Sequence, residues 1–455
     1  MINIKSDSRK VKDGDIFVAL RGISSDGHSY IDKAIKNGAS KLVVEEGKYD
    51  IPYEVVDDTR DYLNKYLKDN YKKYLDEMTI IGITGTNGKT TSAYLIYQAL
   101  NKLGKKCAYI GTIGYYLDKL VTRLNNTSPD ICEIYDMIIN AYDNGYKYIV
   151  MEVSSQGLSY NRFNGISFDF AIFTNLTIDH LDYHKTMENY ALAKQKLFKQ
   201  CKGINIINID DEYKDYFMIN DYVTYGFNQG DYNIVDYKLS SHNSIFKVLH
   251  NDKEVEIKSP LIGKYNIYNM LCCYVSLNLL KFNDSDIVKV LSKLDSPDGR
   301  MNTVKYKDNT IIIDYAHTPD AMENIFTTVK GLNINNIYTV FGCTGDRERT
   351  KRPVMMDLAC TYSKFAIVTS DDLHAEEFDH IVSDMLEGNN HTNYEVIENR
   401  GKAIRKGISL LKNNDMLLIL GKGHEEYIIL KDRKIPFNDL CEVNKVLDEL
   451  KIKAN

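Results

Sequence analysis

The sequence predicts an α/β protein of three domains. Its 455 residues exceed what one ordinary hydrophobic core organises, and short apolar, β-branched runs alternate with helical lengths from end to end. The alternation is interrupted twice, by a long polar helix-prone segment ending at residue 77 and by Asp295-Ser-Pro-Asp-Gly-Arg300. The expected domains are therefore 1–77, 78–297 and 298–455.

In the first domain, Asp13-Gly-Asp-Ile-Phe-Val-Ala-Leu20 and Lys41-Leu-Val-Val-Glu45 are strand-like. Between them Tyr30-Ile-Asp-Lys-Ala-Ile-Lys-Asn-Gly38 predicts a helix that Asn-Gly stops, since a left-handed residue there satisfies the last carbonyls. Thr59 to Glu77 is the polar helical segment. The second domain opens on the strand Met78-Thr-Ile-Ile-Gly-Ile-Thr84 and the helix Ser92-Ala-Tyr-Leu-Ile-Tyr-Gln-Ala-Leu100, then runs through Cys107–Gly111, Tyr148–Val153, Phe170–Thr174 and Ile204–Asn208. Such continuous apolar runs suit a mainly parallel sheet covered on both faces. Between Tyr222 and Lys258 shorter alternating runs predict an antiparallel edge. The third domain restarts the alternation at Thr310–Asp314, Tyr338–Gly342, Phe365–Thr369 and Met416–Leu420.

A net charge of −6 with 26% charged residues lacks the basic footprint of a nucleic-acid binder. The amino terminus has no apolar leader-like stretch, and no uncharged apolar run is long enough to span a bilayer. A cytoplasmic, non-membrane protein is expected, acting as a monomer. The eight cysteines are scattered, and the one close pair, Cys272 and Cys273, lacks metal-ligand spacing.

Chemistry concentrates first at Gly85, Thr86, Asn87, Gly88, Lys89, Thr90 and Thr91, a glycine turn between a strand and a helix. There backbone N–H groups and the helix dipole can cradle a polyphosphate, Lys89 can reach a terminal phosphate, and the Thr90 hydroxyl can ligate Mg²⁺. ATP or another nucleoside triphosphate is expected, with Mg²⁺. The loop is a variant, because Ile83 stands where the general phosphate-loop pattern has glycine. Polar residues just after apolar runs are the next candidates, since ligands collect at the carboxyl ends of strands in doubly wound sheets. Glu152, followed by Ser154-Ser-Gln-Gly157, and the loop Thr174-Asn-Leu-Thr-Ile-Asp-His-Leu-Asp-Tyr-His184 supply oxygen and imidazole donors suited to Mg²⁺ on phosphates.

Gly85–Thr91, Met151-Glu-Val-Ser-Ser155, Thr174–His184, Asp314-Tyr-Ala-His-Thr-Pro-Asp320, Gly342-Cys-Thr-Gly-Asp-Arg347 and Gly421-Lys-Gly-His-Glu425 occur in this order. The chain thereby resembles the Mur ligases. Asp7-Ser-Arg9, Asp13–Phe17 and Asp26-Gly-His28 extend the likeness to the uridine-binding domain of the members that add the third residue of the peptidoglycan stem peptide. The resemblance implies a small N-terminal α/β domain for the UDP-substrate, a central ATP-binding phosphate-loop domain and a C-terminal Rossmann-like domain for the amino acid. It implies a reaction in which ATP phosphorylates the free carboxylate of UDP-N-acetylmuramoyl-L-alanyl-D-glutamate and the amine of a diamino acid attacks the acyl phosphate. Two alternatives stay open: a ligase of the same chemistry with another carboxylate acceptor, and a nucleotide-binding regulator without turnover.

By the same resemblance, Lys89, His180 and Lys194 carry catalysis. Thr90 and Glu152 hold one Mg²⁺, and His180 with a carbamylated Lys194 holds a second; carbamylation turns a cationic amine into an anionic oxygen ligand and needs a depressed lysine pKa. Asn266, Asn269, Arg300, Asp314 and His317 complete the ATP site. Ser8, Asn126, Thr127, Ser128, Ser154 and Arg162 match contacts to the UDP-substrate, while Tyr160 stands where related enzymes have glutamine. Arg347, Asp371, Asp372, His374, Gly421 and Glu425 match the amino-acid site. Enzymes that add meso-diaminopimelate carry Asp-Asn-Pro-Arg where this chain has Asp371-Asp-Leu-His374, and a histidine cannot reproduce a bidentate arginine–carboxylate pair. With Asp372 adding a carboxylate, L-lysine or L-ornithine is expected as the incoming residue.

Overall fold

The computed structural model describes residues 2–22, 26–227, 229–240 and 243–454. They build three sheets in sequence order, each with helices of its own, and a short separate hairpin. In the first sheet the strands Ile4–Lys5, Ile16–Val18, Lys41–Val44 and Tyr53–Val55 lie side by side in chain order, all parallel. The polar segment forms the helix Thr59–Asp76, started by the Asp58 side chain, which accepts the N–H groups of Arg60 and Asp61 as an N-cap does. Its buried Leu63, Leu67 and Leu75 recur at helical spacing and pack with Ile4 and Val43 on one side and Ile134 and Ile138 on the other. That shared apolar cluster joins the first sheet to the second, and Ser6 Oγ adds a hydrogen bond to Asp130 Oδ1 at 2.8 Å.

The second sheet has eleven strands. Its middle is parallel, in the order Tyr222–Gly226, Cys201–Asn208, Phe168–Phe173, Thr79–Thr84, Tyr148–Glu152, Cys107–Gly111. Along Thr79–Thr84 the side chains alternate, Ile80 into one core and Ile81 and Ile83 into the other, as a sheet covered on both faces requires. The helices Lys89–Lys102 and Lys264–Leu279 cover one face, Ile131–Asp143 and Met187–Lys199 the other.

The antiparallel edge begins later than the sequence pattern suggests. Tyr222–Gly226 and Tyr232–Leu239 still run parallel to their inner neighbours, and only Ser244–His250 and Lys253–Ser259 turn antiparallel. For Tyr222–Gly226 the cause is the crossover before it. Phe217 there stacks on Phe173 at 3.9 Å and meets Phe198 at 5.0 Å, returning the chain to the start of the sheet, where the next strand must run parallel.

The third sheet has the order Asn302–Tyr306, Asn309–Asp314, Met416–Leu420, Ile337–Phe341, Phe365–Val368, Tyr394–Val396, antiparallel in its first pair and parallel beyond. Pro319–Lys330 and Lys351–Tyr362 cover one face, Arg400–Leu410 and Asp439–Ala454 the other. The strands Tyr427–Ile429 and Lys434–Pro436 form the separate hairpin. Carboxyl ends of the second and third sheets line one cavity. Asn87 Nδ2 donates to Asp320 Oδ2 at 2.6 Å and Arg123 pairs with Glu426 at 2.9 Å across the junction. Among the described residues no helix is long and apolar enough to cross a membrane.

Candidate active site

The phosphate-loop turn begins at Gly85. Ile83 is fully buried within the strand, so the variant position belongs to the sheet and the loop is confined to the residues after it. Gly85 has φ +152°, and a Cβ there would lie 1.9 Å from Thr174 Oγ1, which only glycine avoids. Lys89 Nζ donates to the carbonyls of Gly85 (2.9 Å) and Thr86 (2.8 Å). Burial holds its pKa below the ordinary lysine value, with Glu152 and Asp179 opposing.

Glu152 ends its strand buried and is fixed by four donors. Oε1 accepts the Tyr109 hydroxyl and the Thr112 N–H; Oε2 accepts the hydroxyls of Thr90 at 2.9 Å and Thr112 at 3.0 Å. A hydroxyl and a carboxylate so placed beside a phosphate cradle are hard oxygen donors of the kind Mg²⁺ takes.

The histidine loop separates its two imidazoles. His180 adopts a left-handed backbone, φ +54°, and stands on the cavity wall beside Asp179. His184 turns inward, with Nε2 2.9 Å from Ser155 Oγ and its ring stacked on Tyr190, and does not line the cavity. Lys194 lies beneath this wall, 1% exposed. Its Nζ donates to the Gly85 carbonyl at 2.8 Å and sits 4.5 Å from the Tyr190 ring centre. Burial, and then repulsion from Lys89, hold this lysine well below its ordinary pKa, so the amine is readily neutral.

Across the cavity, oxygens of Asp371, Asp372 and Glu425 lie within 4.8 Å of one another. The fully buried Lys422 ammonium sits among them, 2.8 Å from Asp372 Oδ1, 2.6 Å from Glu425 Oε2 and 3.8 Å from Asp371 Oδ1. Three carboxylates share one ammonium, so one retains its proton longest. Burial, reinforced by Asp371 and Asp372 and opposed by Lys422, pushes Glu425 up to about 7. Burial would raise Asp371 too, but Lys422 and Arg400 hold it below the usual carboxylate range. Asp371 Oδ2 is buried without a hydrogen-bond partner, and a Cβ at Gly421, φ +113°, would lie 2.4 Å from it.

This arrangement corrects one expectation. Asp372 is not an uncompensated charge awaiting a distal ammonium, because Oδ1 already accepts from Lys422 and from the Ile429 N–H, each at 2.8 Å.

Most of the sequence-predicted residues converge on this cavity of about 730 Å³. Thr86 to Thr91, Glu152, His180, Arg300 and His317 line it, as do Arg347, Asp371, Asp372, His374, Gly421 and Glu425, and Asn126, Thr127, Ser128, Ser154 and Arg162. Ser128 Oγ accepts the Ser154 N–H at 3.0 Å, and Arg162 donates to the Ser128 carbonyl at 2.6 Å, tying this last group together. Asn266, Asn269 and Asp314 instead line an adjoining cavity of about 250 Å³ that shares Asn87, Gly88, Thr91 and Arg300 with the first. Ser8 lines neither and is buried in the first unit, its carbonyl accepting Asn37 Nδ2.

Sequence reasoning assigned no role to Thr112, Lys351 or Lys422. Thr112 links Glu152 to Thr127, its Oγ1 lying 3.0 Å from Thr127 Oγ1, and Lys351 donates to the His317 carbonyl at 3.0 Å. Lys422 directly follows the strand Met416–Leu420 and Gly421, the strand-end signal that marked the other residues.

Comparison with known proteins identifies the family. The Mur ligase family catalytic domain is matched by residues 2–74, the Mur ligase middle domain by 83–277 and the glutamate ligase domain of Mur ligases by 299–423. The UDP-N-acetylmuramoyl-L-alanyl-D-glutamate–2,6-diaminopimelate ligase of Clostridium perfringens (strain 13 / Type A) is 42% identical over 463 residues, spanning 98% of this chain and 95% of that protein. The chain belongs to the Mur ligase family. This Mur ligase is also 39% identical, over 98% of its length and 93% of the relative's, to the enzyme of the same name from Aquifex aeolicus (strain VF5). A solved structure of a UDP-N-acetylmuramoyl-L-alanyl-D-glutamate–2,6-diaminopimelate ligase superposes with TM-score 0.70 at 30% identity, covering 98% of this chain and 95% of that one. The MurF ligase of Thermotoga maritima, solved in complex with ADP, shares the fold at TM-score 0.70 and 18% identity, over 99% and 98% of the two chains. The three-domain α/β architecture expected from the sequence is that of the family, and the protein is an ATP-dependent ligase.

Proposed function

We propose that this Mur ligase joins UDP-N-acetylmuramoyl-L-alanyl-D-glutamate to 2,6-diaminopimelate in peptidoglycan precursor synthesis, in the cytoplasm. The observation that carries the proposal is one cavity lined both by the phosphate loop and by the Asp371–Asp372–Glu425 cluster. Nucleotide and incoming amine can therefore meet over one carboxylate. The two sequence relatives described above, each spanning 98% of this chain, are named as 2,6-diaminopimelate ligases, which supports the choice of amino acid.

In this reading a carboxylate oxygen of the glutamyl residue attacks the γ-phosphorus of ATP, and the bond to the β–γ bridging oxygen breaks to release ADP. The amine nitrogen then attacks the acyl carbon, loses a proton, and the C–O bond to phosphate breaks. Both partners of the first step are anionic, so cations must offset their repulsion. Lys89 and Arg300 line the cavity. Mg²⁺ would be held by Thr90 and Glu152, and a second ion by His180 with carbamylated Lys194, supplying further neutralisation of the phosphates. The donor set fits: buried oxygens converge at Thr90 and Glu152, and Lys194 is the readily neutral amine that carbamylation consumes. Asn266 and Asn269 in the adjoining cavity would take the adenine. Contacts Asn87–Asp320 and Arg123–Glu426 hold the third domain over the loop, which excludes water from an intermediate prone to hydrolysis.

Of the amino acid, Arg347 would take the α-carboxylate, and Glu425 with Asp371 an ammonium group. L-lysine or L-ornithine is the second reading. It rests on His374 alone, since Asp372 is already compensated by Lys422. Phosphate release and product mass, measured with meso-diaminopimelate, L-lysine and L-ornithine in competition, decide between them; product from none of the three would reject the proposal.

A further inference from the structure

The hairpin Tyr427–Ile429/Lys434–Pro436 is docked against the acidic cluster by its inner strand. The Ile429 N–H goes to Asp372 Oδ1 at 2.8 Å and the Ile429 carbonyl accepts the His374 N–H at 3.0 Å. Both backbone groups of Ile429 thus point away from the outer strand, although Ile429 is paired with Lys434. The two residues form a non-hydrogen-bonded antiparallel pair, the arrangement in which facing side chains approach closest and share one face. That face is the cavity, which Tyr427, Ile429 and Lys434 all line. The Lys434 ammonium makes no ion pair or hydrogen bond among the described residues.

The cavity therefore carries charges of both signs here: Arg347 is positive, the Asp371–Asp372–Glu425 cluster remains negative after Lys422 is counted, and Lys434, paired with the Ile429 that meets Asp372, is positive. An amino acid with a carboxylate, an ammonium and a second carboxylate in series complements that pattern; one ending in an ammonium alone would leave Lys434 without a counter-charge. We infer that Lys434 receives the distal carboxylate of the incoming diamino acid and is the residue by which this chain favours an amino acid carrying two carboxylates. The inference rests on the reading of the substrate as 2,6-diaminopimelate.

The test is steady-state kinetics of the full-length enzyme and its Lys434→Gln, Lys434→Glu and Lys431→Gln variants, with meso-diaminopimelate and with L-lysine. Lys431 lies in the turn of the same hairpin and does not line the cavity, so its variant removes a nearby charge without the contact. Loss of one charge-assisted contact raises KM for meso-diaminopimelate about tenfold in Lys434→Gln, and further in Lys434→Glu, with kcat within about twofold. KM for L-lysine does not rise in either, and Lys431→Gln behaves as wild type. An unchanged KM for meso-diaminopimelate in Lys434→Glu, or an equal rise for both amino acids, overturns the role of Lys434 while the substrate reading stands. A wild-type enzyme that uses L-lysine and not meso-diaminopimelate overturns the substrate reading, and the inference with it.

Discussion

If Glu425 holds the incoming ammonium as proposed, binding of the amino acid should depend on pH in the neutral range. Glu425 shares the Lys422 ammonium with Asp371 and Asp372, and burial pushes it up to about 7 from an ordinary value of 4.5. If its ionised form holds the incoming ammonium, the apparent KM for the amino acid scales as one plus the ratio of protonated to ionised Glu425. That factor is about 11 one unit below the pKa and about 1.1 one unit above it, so KM should fall about tenfold between roughly pH 6 and pH 8. Burial holds His317 near 4 and His424 near 3, outside this window. Phosphate release is to be followed at each pH with the amino acid varied and both nucleotides saturating, reading KM apart from kcat, because protonation of the attacking amine also changes the rate. In Glu425→Gln the inflection near 7 should vanish and KM should stay high throughout. His374→Asn, altering another residue of this wall, should retain it. A wild-type KM without that inflection, or a Glu425→Gln profile that keeps it, would refute the reasoning. Stability follows with a definite sign. The folded protein holds this proton more tightly than the unfolded chain, so Glu425 contributes stability at low pH that is lost as pH rises from 4.5 towards about 7.

Three other substitutions probe separate parts of the molecule. Lys194→Ala should lower turnover at least about a hundredfold and be partly rescued by short carboxylic acids that restore an oxygen ligand; full activity without rescue would show that no carbamate is needed. Gly85→Ala places a Cβ 1.9 Å from Thr174 Oγ1, which should cost about 1–3 kcal/mol by denaturant unfolding and weaken ATP binding by calorimetric titration. Arg400→Met leaves Asp439 buried without the guanidinium that now meets it at 2.7 and 2.8 Å; the loss should be about 3–5 kcal/mol in the same unfolding assay, with most of it recovered when Asp439→Leu is added.

How far the site could be read from sequence depends on how local each determinant is. Gly85, Glu152, Asp314, Asp371 and Gly421 end an apolar strand or follow one closely, and the rule that ligands gather at strand ends in parallel sheets needs only that adjacency. The same rule was available for Lys422, one residue beyond Gly421, but its meaning depends on partners 50 and 51 residues away in the chain. The direction of Tyr222–Gly226 failed for a related reason. An alternating run states which faces are apolar and nothing about the crossover that delivers it, and here that crossover is fixed by Phe217 against Phe173 and Phe198.

The reading of Asp371-Asp-Leu-His374 shows the limit most sharply, because it inferred charge from composition. Asp372 adds a carboxylate to the motif, and from the motif alone the site gains a negative charge that would favour a distal ammonium. In the fold that carboxylate is spent on Lys422 and on the Ile429 N–H, and docking of the Ile429 strand brings Lys434 to the same cavity wall. The added acid therefore helps to hold the hairpin that carries a cation. A substitution within a motif acts through the whole set of charges the fold assembles, so in the proposed reading the preference between a distal ammonium and a distal carboxylate would rest on the pairing of Asp372 and on Lys434, which lie 62 residues apart in the chain.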